Sequence, residues 1–196
     1  MKKAITYILF TLLILGLSMP SIAQESKASK QDRKEQRQYE KEKRKEEQAL
    51  EKELKKEMTK KMVELQRFVL EADQLSDKYG QRVQVSPTIN FIMIDSLQGT
   101  IQLGSAFNVG YNGVGGTTVD GRITKYLVNK TGRKKDSYSI QLIFMSAIGT
   151  YDINLLVGSG GSASATIRGN WSGQLNYHGQ LIPLGMSRVY KGNPSF

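Results

Sequence analysis

The sequence predicts an α+β fold: a long charged N-terminal helix followed by a curved antiparallel β-sheet, a sandwich or incomplete barrel of about seven or eight strands. Charge is the first observation. Residues 24–80 hold 16 basic and 14 acidic residues, whereas residues 81–196 hold 10 basic and 4 acidic ones and no glutamate. The second is periodicity, since apolar residues recur at helical spacing before residue 80 and alternate with polar ones after it.

Residues 1–23 have the organisation of a cleaved signal peptide. Two lysines precede an apolar run over residues 4–19, and the small residues Ser21 and Ala23 predict cleavage near Ala23. The apolar run is shorter than the roughly 20 residues of a membrane-spanning helix. The chain has no cysteine. We therefore expect an exported protein, periplasmic or secreted, that is not a lipoprotein and has no disulfide.

Two segments make up the predicted helical region. Residues 24–49 are rich in Lys, Glu, Gln and Arg and lack an apolar face, which predicts a charged arm or a solvated helix. Residues 50–80 predict an amphipathic helix that docks on the β domain and ends at Gly80. Its apolar stripe consists of Leu50, Leu54, Met58, Met62, Leu65, Val69, Ala72, Leu75 and Tyr79. A coiled coil that makes a homo-oligomer through this helix is an alternative use of the stripe.

Residues 81–196 predict the antiparallel β domain. Period-two runs are separated by glycine-rich or polar turns, and no long helical pattern interrupts them. The stretch GSGGSA at 158–163 satisfies the dinucleotide pattern G-x-G-x-x-A. It lacks the following helix and the later acidic residue that a pyrophosphate site needs. We therefore expect residues 158–161 to be the turn of a hairpin between strands at 153–157 and 163–168.

Residue types that carry catalysis are scarce in the β domain. His178 is the chain's one histidine, and the acids are Asp95, Asp120, Asp136 and Asp152, of which Asp120 and Asp136 stand in turn-like contexts. These groups form no cluster in the sequence that is typical of a metal site or an acid–base pair. We predict no catalytic, metal-binding or cofactor-binding residue, and thus a non-enzymatic binding or structural module with a helical spacer.

Two alternatives remain open. One is a hydrolase that acts on envelope polymers through Asp95 or Asp152. The other is a small-ligand carrier with a cavity inside the curved sheet, where Ala163 and Ala165 would leave room.

Three residues are candidates for ligand or partner contact. Trp171 lies in the turn at 169–173, where it either plugs the end of the core or is exposed. Tyr111 lies in the glycine-rich loop at 110–116, and Arg168 is basic and close to Trp171 in the sequence. Basic residues are scattered except at 133–135, which predicts weak attraction to an anionic envelope surface and no nucleic-acid binding. The expected partner is an unknown envelope protein or ligand.

Four stretches carry a resemblance to a known family. They are FVLEA at 68–72, SPTINF at 86–91, GQLIP at 179–183 and SRVYKG at 187–192. With them the chain resembles the domain of unknown function 4251 family, found in exported envelope proteins of Gram-negative bacteria. The resemblance implies no activity and no functional residue. Some members of that family look like lipoproteins, from which this cysteine-free sequence departs.

Overall fold

The computed structural model describes residues 22–105, 110–133, 136–169 and 173–195. Within them the chain forms one α-helix, nine strands and a short 3₁₀ turn. The elements are α1 (Ile22–Leu65), β1 (Arg67–Asp77), β2 (Arg82–Gln84), β3 (Phe91–Asp95), β4 (Gln98–Leu103), β5 (Thr117–Thr131), β6 (Ser137–Ser146), β7 (Gly149–Val157), β8 (Ser162–Arg168), β9 (Gln174–Pro183) and the 3₁₀ turn Leu184–Met186. The chain divides into two units, Met1–Leu50 and Glu51–Phe196.

The sheet is a closed antiparallel barrel. Eight strands run in the order β1-β3-β4-β5-β6-β7-β8-β9, and β9 pairs back to β1. The ninth strand, β2, pairs with the C-terminal half of β1. The expectation of an α+β fold with an antiparallel sheet is confirmed, whereas the sandwich or incomplete barrel is wrong. Closure was missed because β1, the strand that joins β3 to β9, was assigned to the helix.

The predicted helix over residues 50–80 is wrong beyond Leu65. Gln66 has a φ of 53°, in the left-handed region, and turns the chain into β1. The backbone N–H of Ser96 donates to the carbonyl of Gln66 at 2.8 Å, which joins this turn to the β3–β4 hairpin. The β domain therefore begins near residue 67, before the predicted boundary at residue 81.

Strand β1 imitates helical spacing for two physical reasons. Phe68, Val69 and Leu70 are all fully buried, because this part of the strand is covered on both faces. A bulge between Ala72 and Gln74 then shifts the alternation by one residue. Apolar residues consequently fall three and four positions apart. The strand is identified by its pairing with β2, β3 and β9 and not by its own sequence pattern.

Residues 24–49 are helical as part of α1, and the side chains from residue 31 to residue 50 are exposed. In the second unit the helix docks only through its last two turns, where Thr59, Met62 and Val63 are buried. The hydroxyl of Tyr126 donates to the carbonyl of Val63 at 3.2 Å. Leu54 stays 53% exposed, so the stripe is only partly used for docking. No described helical segment is long and apolar enough to cross a membrane.

Large side chains occupy the barrel interior. Fully or almost fully buried residues there include Phe68, Phe144, Ile140, Ile153 and Tyr177. Tyr177 lies directly opposite Ala165 in the β8–β9 register, and its hydroxyl donates to the carbonyl of Gln102 across the barrel at 3.0 Å. Burial raises the pKa of the Tyr177 phenol. The room beside Ala165 is thus taken by an aromatic ring, which argues against the ligand-carrier alternative.

The predicted hairpin at residues 158–161 is confirmed. Val157 pairs with Ala163 at the ends of β7 and β8, and Gly161 adopts a φ of 85° that favours glycine. The predicted signal peptide lies outside the described residues, apart from the backbone of the last two positions.

Residues 187–195 form a C-terminal strap across the outer face of the barrel. Hydrogen bonds hold it along its length. They join Ser187 to Glu71, Tyr190 to Thr88, Asn193 to Asn112 and Ser195 to Thr118.

The amide of Gln102, on the outer face of β4, lies at the centre of the strap. Its Nε2 donates to the carbonyls of Ile89 and Tyr190 at 3.0 and 2.9 Å. Its Oε1 accepts from the Thr118 hydroxyl at 3.0 Å and from the Gly192 N–H at 2.9 Å. Two donors and two acceptor positions are the full capacity of a primary amide. Gln102 is therefore fully satisfied as well as fully buried.

We expect Gln102→Leu to lower the free energy of unfolding by about 3 kcal/mol or more, because it leaves several buried polar groups without partners. Urea unfolding measures this loss. Trypsin should also cleave faster after Arg188 and Lys191, since the strap loses its central attachment. Gln98→Leu is the matched control, on the same face of the same strand but exposed. Equal stability of the two variants would contradict the central role of Gln102.

We expect Gly179→Ala to lower the free energy of unfolding by about 2 kcal/mol or more. A Cβ at Gly179 would overlap the carbonyl oxygen of Glu71, which is backbone of the neighbouring strand and cannot rotate away. Gly160→Ala serves as the control, because a Cβ there meets nothing within 4 Å. It should change stability by less than about 0.5 kcal/mol. Urea unfolding of the pair tests the close approach of β1 and β9, and a mild effect at Gly179 would refute it.

Candidate binding groove

A groove of about 720 Å³ lies on the outer face of strands β3 to β6, and we name it the outer groove. Its lining residues are Met93, Asp95, Gln98, Gly99, Thr100, Asp120, Gly121, Arg122, Thr124, Met145, Ser146, Ala147 and Lys191. Strands of the barrel supply most of these positions and the strap supplies Lys191. The side chains are thus held by hydrogen-bonded backbone rather than by a free loop.

Two glycines lie beneath the outer groove. Gly99 of β4 and Gly121 of β5 are directly opposite each other in the register. A Cβ at Gly99 would lie 3.1 Å from Cε2 of Phe144, and one at Gly121 would lie 2.6 Å from Cζ of the same ring. The ring therefore packs against bare backbone from inside the barrel. Glycines in strands mark sharp bends and close approaches of this kind.

Asp120 has both carboxylate oxygens engaged. Its Oδ1 accepts from the hydroxyl of Thr100 at 2.6 Å, and its Oδ2 pairs with Nζ of Lys191 at 2.7 Å. Thr100 is buried, whereas the Asp120–Lys191 pair is partly exposed. The sequence placed Asp120 in a turn, but the residue lies within β5. Its carboxylate joins the strap to the barrel.

Asp95 lies at the other end of the outer groove. Its Oδ1 is 3.0 Å from Nε of Arg67, and both side chains are about half exposed. An exposed pair of this kind contributes about 0–1 kcal/mol to stability. The carboxylates of Asp95 and Asp120 each have a cationic partner. The outer groove thus contains methionine side chains, two ion-paired carboxylates and the guanidinium of Arg122. Arg122 has no ion-pair partner among the residues that the structure describes.

Tyr111 and Arg168, the two predicted contact residues that the structure describes, lie in different parts of the barrel domain. Tyr111 is fully exposed in the loop after β4, and Arg168 ends β8, where its Nε donates to Oε1 of Gln174 at 3.0 Å. Neither lines the outer groove. Trp171 lies outside the described residues. A contact surface built from these three side chains therefore stays a prediction, and the described pair gives it no support.

Asp95 and Asp152, the acids of the hydrolase alternative, occupy different grooves. Asp152 lies on β7 opposite Arg168, in a smaller groove of about 270 Å³ that Lys125 also lines. In the described part of the chain, no group of three histidine or carboxylate side chains could hold a metal ion.

Sequence reasoning missed the residues of the outer groove. Met93, Gln98, Arg122 and Met145 are ordinary outward-facing strand residues, and alternation alone does not mark them. The available signal was the interruption of two strands by a glycine, in QGT at 98–100 and DGR at 120–122. Such glycines indicate a bend in a barrel strand.

Comparison with known proteins gives a family and a structural relative. The crystal structure of a DUF4251 family protein from Bacteroides eggerthii DSM 20697 is similar to this chain, with a TM-score of 0.57, 28% sequence identity and coverage of 68% of this chain and 91% of that one. No curated protein matches the chain. The family described as "Domain of unknown function (DUF4251)" matches residues 50–181, and the resemblance predicted from the sequence is confirmed. The chain belongs to the DUF4251 family.

Proposed function

We propose that this protein is a non-enzymatic binding module of the cell envelope, which binds its ligand or partner at the outer groove. Residues 24–49 serve as a charged helical spacer, and the signal-type sequence at 1–23 directs export. The proposal rests on one observation above all. The outer groove presents apolar, cationic and hydrogen-bonding side chains next to one another on paired strands of a closed barrel.

The chemistry of the groove favours binding over catalysis. Met93 and Met145 supply polarizable apolar surface, which adapts to the shape of a ligand. Arg122 supplies a guanidinium that suits carboxylate or phosphate groups. The two carboxylates already accept from cations or from a buried hydroxyl. A ligand suited to this groove has an apolar part for the methionines and an anionic or hydrogen-bonding part for Arg122.

The separation of Asp95 and Asp152 weighs against a hydrolase that uses the two carboxylates together, and leaves a hydrolase that uses one of them as the alternative. Hydrolysis by two carboxylates requires both groups to flank one scissile bond. These two carboxylates lie in different grooves, and Asp152 of β7 is paired in the register with Arg168 of β8. The filled barrel interior weighs against the carrier in the same way.

Photo-cross-linking in intact cells tests the outer groove. A benzophenone amino acid at position 145 should capture a specific adduct, because Met145 is 52% exposed on the groove wall. The control position is 156, since Leu156 is 57% exposed on the outer face of β7 and away from the groove. Arg122→Glu should abolish the adduct at position 145. Identical adducts at both positions, or an adduct that survives Arg122→Glu, would reject the groove as the binding site.

Two deletions test the spacer. Removing residues 25–56 should change the free energy of unfolding of the barrel by less than about 0.5 kcal/mol, because the buried residues of α1 begin at Thr59. Removing residues 25–65 should cost about 3 kcal/mol or more, since Met62 and Val63 leave the core. Urea unfolding monitored by circular dichroism measures both. If the shorter deletion abolishes cooperative unfolding, residues 25–56 are part of the fold and not a spacer.

A further inference from the structure

The C-terminal half of β5 has one pairing partner. Residues 117–122 pair with β4, and residues 121–131 pair with β6 on the other side. Beyond Ile123, whose N–H donates to the carbonyl of Leu97, β5 therefore continues past the β3–β4 hairpin with an edge open. We name residues 125–131 the β5 edge. Among the described residues, no backbone hydrogen bond joins this edge to a second strand.

The β5 edge is exposed and long. Apart from Tyr126, which is half-buried, its side chains are exposed, with Leu127 at 46% and Val128 at 39%. The edge is seven residues long, whereas a typical whole strand in a globular protein has about five to six residues. A row of unpaired N–H and C=O groups of this length is a template for another strand.

The charge of the β5 edge is uniformly positive. Lys125 and Lys130 within the edge and Arg133 just beyond it are exposed, and no acidic residue occurs from Ile123 to Arg133. None of the three cations has an ion-pair partner in the part of the chain that the structure describes. The edge thus combines backbone hydrogen-bonding capacity with unpaired positive charge.

We propose that the β5 edge binds an acidic, extended segment of a partner protein by strand addition. In this mode the main chain of the partner supplies affinity, and its alternating side chains supply specificity. Acidic side chains opposite Lys125 and Lys130 complement the two cations, and apolar side chains between them cover Leu127 and Val128.

Charge selects this occupant over a second copy of the chain. Antiparallel pairing of two β5 edges puts Lys125 and Lys130 of both copies on one strand pair, and no acidic residue from Ile123 to Arg133 offsets them. Like charges directly opposite one another destabilise a strand pair. Lysines on an edge prevent self-pairing for this reason. A strand that carries negative charge is therefore the complementary partner for the β5 edge.

The positions of the two lysines define the segment further. Lys125 pairs with Ile143 and points outward, whereas Lys130 pairs with Tyr138 and lies on the other face of the strand. The partner strand therefore needs two acidic residues five positions apart, one on each face. The β5 edge shares no residue with the outer groove, whose lining on β5 ends at Thr124.

Peptide binding to the purified protein tests the proposal. The probe is the fluorescent peptide TEVTVTET, which has two glutamates five positions apart, and the measurement is fluorescence anisotropy. The protein should bind TEVTVTET, and the basic counterpart TKVTVTKT should not bind. Lys125→Glu combined with Lys130→Glu should weaken the affinity about tenfold or more at low salt. Arg82→Glu, at an exposed cation on β2, is the charge-matched control and should have little effect.

A second probe distinguishes strand addition from simple charge attraction. N-methylation of two adjacent central residues of TEVTVTET blocks the hydrogen-bonding edges of the peptide and leaves its charge unchanged. Loss of binding by the methylated peptide supports strand addition, and equal binding of the two peptides overturns it. Binding of phosphatidylglycerol vesicles but not of TEVTVTET would also overturn it, in favour of a lipid surface. The outer groove would be unaffected by either result, because its own test uses positions 145 and 122.

Discussion

The structure depends most on the burial of one amide, that of Gln102. Its side chain joins β4 to the strap on the outside of the barrel, while its backbone carbonyl accepts from Tyr177 inside the barrel. A buried polar group stabilises a unique arrangement only when all its hydrogen bonds are made. All four hydrogen bonds of the Gln102 amide are made, and they hold the strap in one arrangement on the barrel. That arrangement places Lys191 beside Asp120, and with it one end of the outer groove.

Closure of the sheet explains where the chain can still bind a strand. A barrel removes the edges of a sheet, but strands of unequal length overhang their neighbours. The overhang of β1 is covered by β2, and the N-terminal edge of β5 is covered where Ser195 donates to the carbonyl of Thr118. Among the described residues, the C-terminal half of β5 is the long overhang without such a cover. Its positive charge is the property that determines which strand can add there.

The sequence predicted most of the sheet and little of the candidate site. Alternation identified the strands from Phe91 onward, and the lack of a helix after Gly161 correctly separated a hairpin turn from a phosphate loop. Alternation failed at β1, where burial on both faces and a bulge produce helical spacing. It also could not reveal closure, which depends on the pairing of β1 with β9 across more than 90 residues of sequence. The outer groove combines residues of β3 to β6 with Lys191 of the strap, and in the sequence these residues were not distinguishable from other strand positions.

The two proposed binding surfaces depend on different parts of the chain. The β5 edge lies inside residues 50–181, the part that matches the family, and within the edge β5 pairs with β6. The outer groove also needs Lys191, which lies beyond that match and is positioned by the strap. Loss of the hydrogen bonds of the Gln102 side chain therefore releases the strap and removes Lys191 from the groove. The β5 edge keeps its backbone pairing and its cations. This arrangement of strands and strap allows one binding surface to be lost while the other is kept.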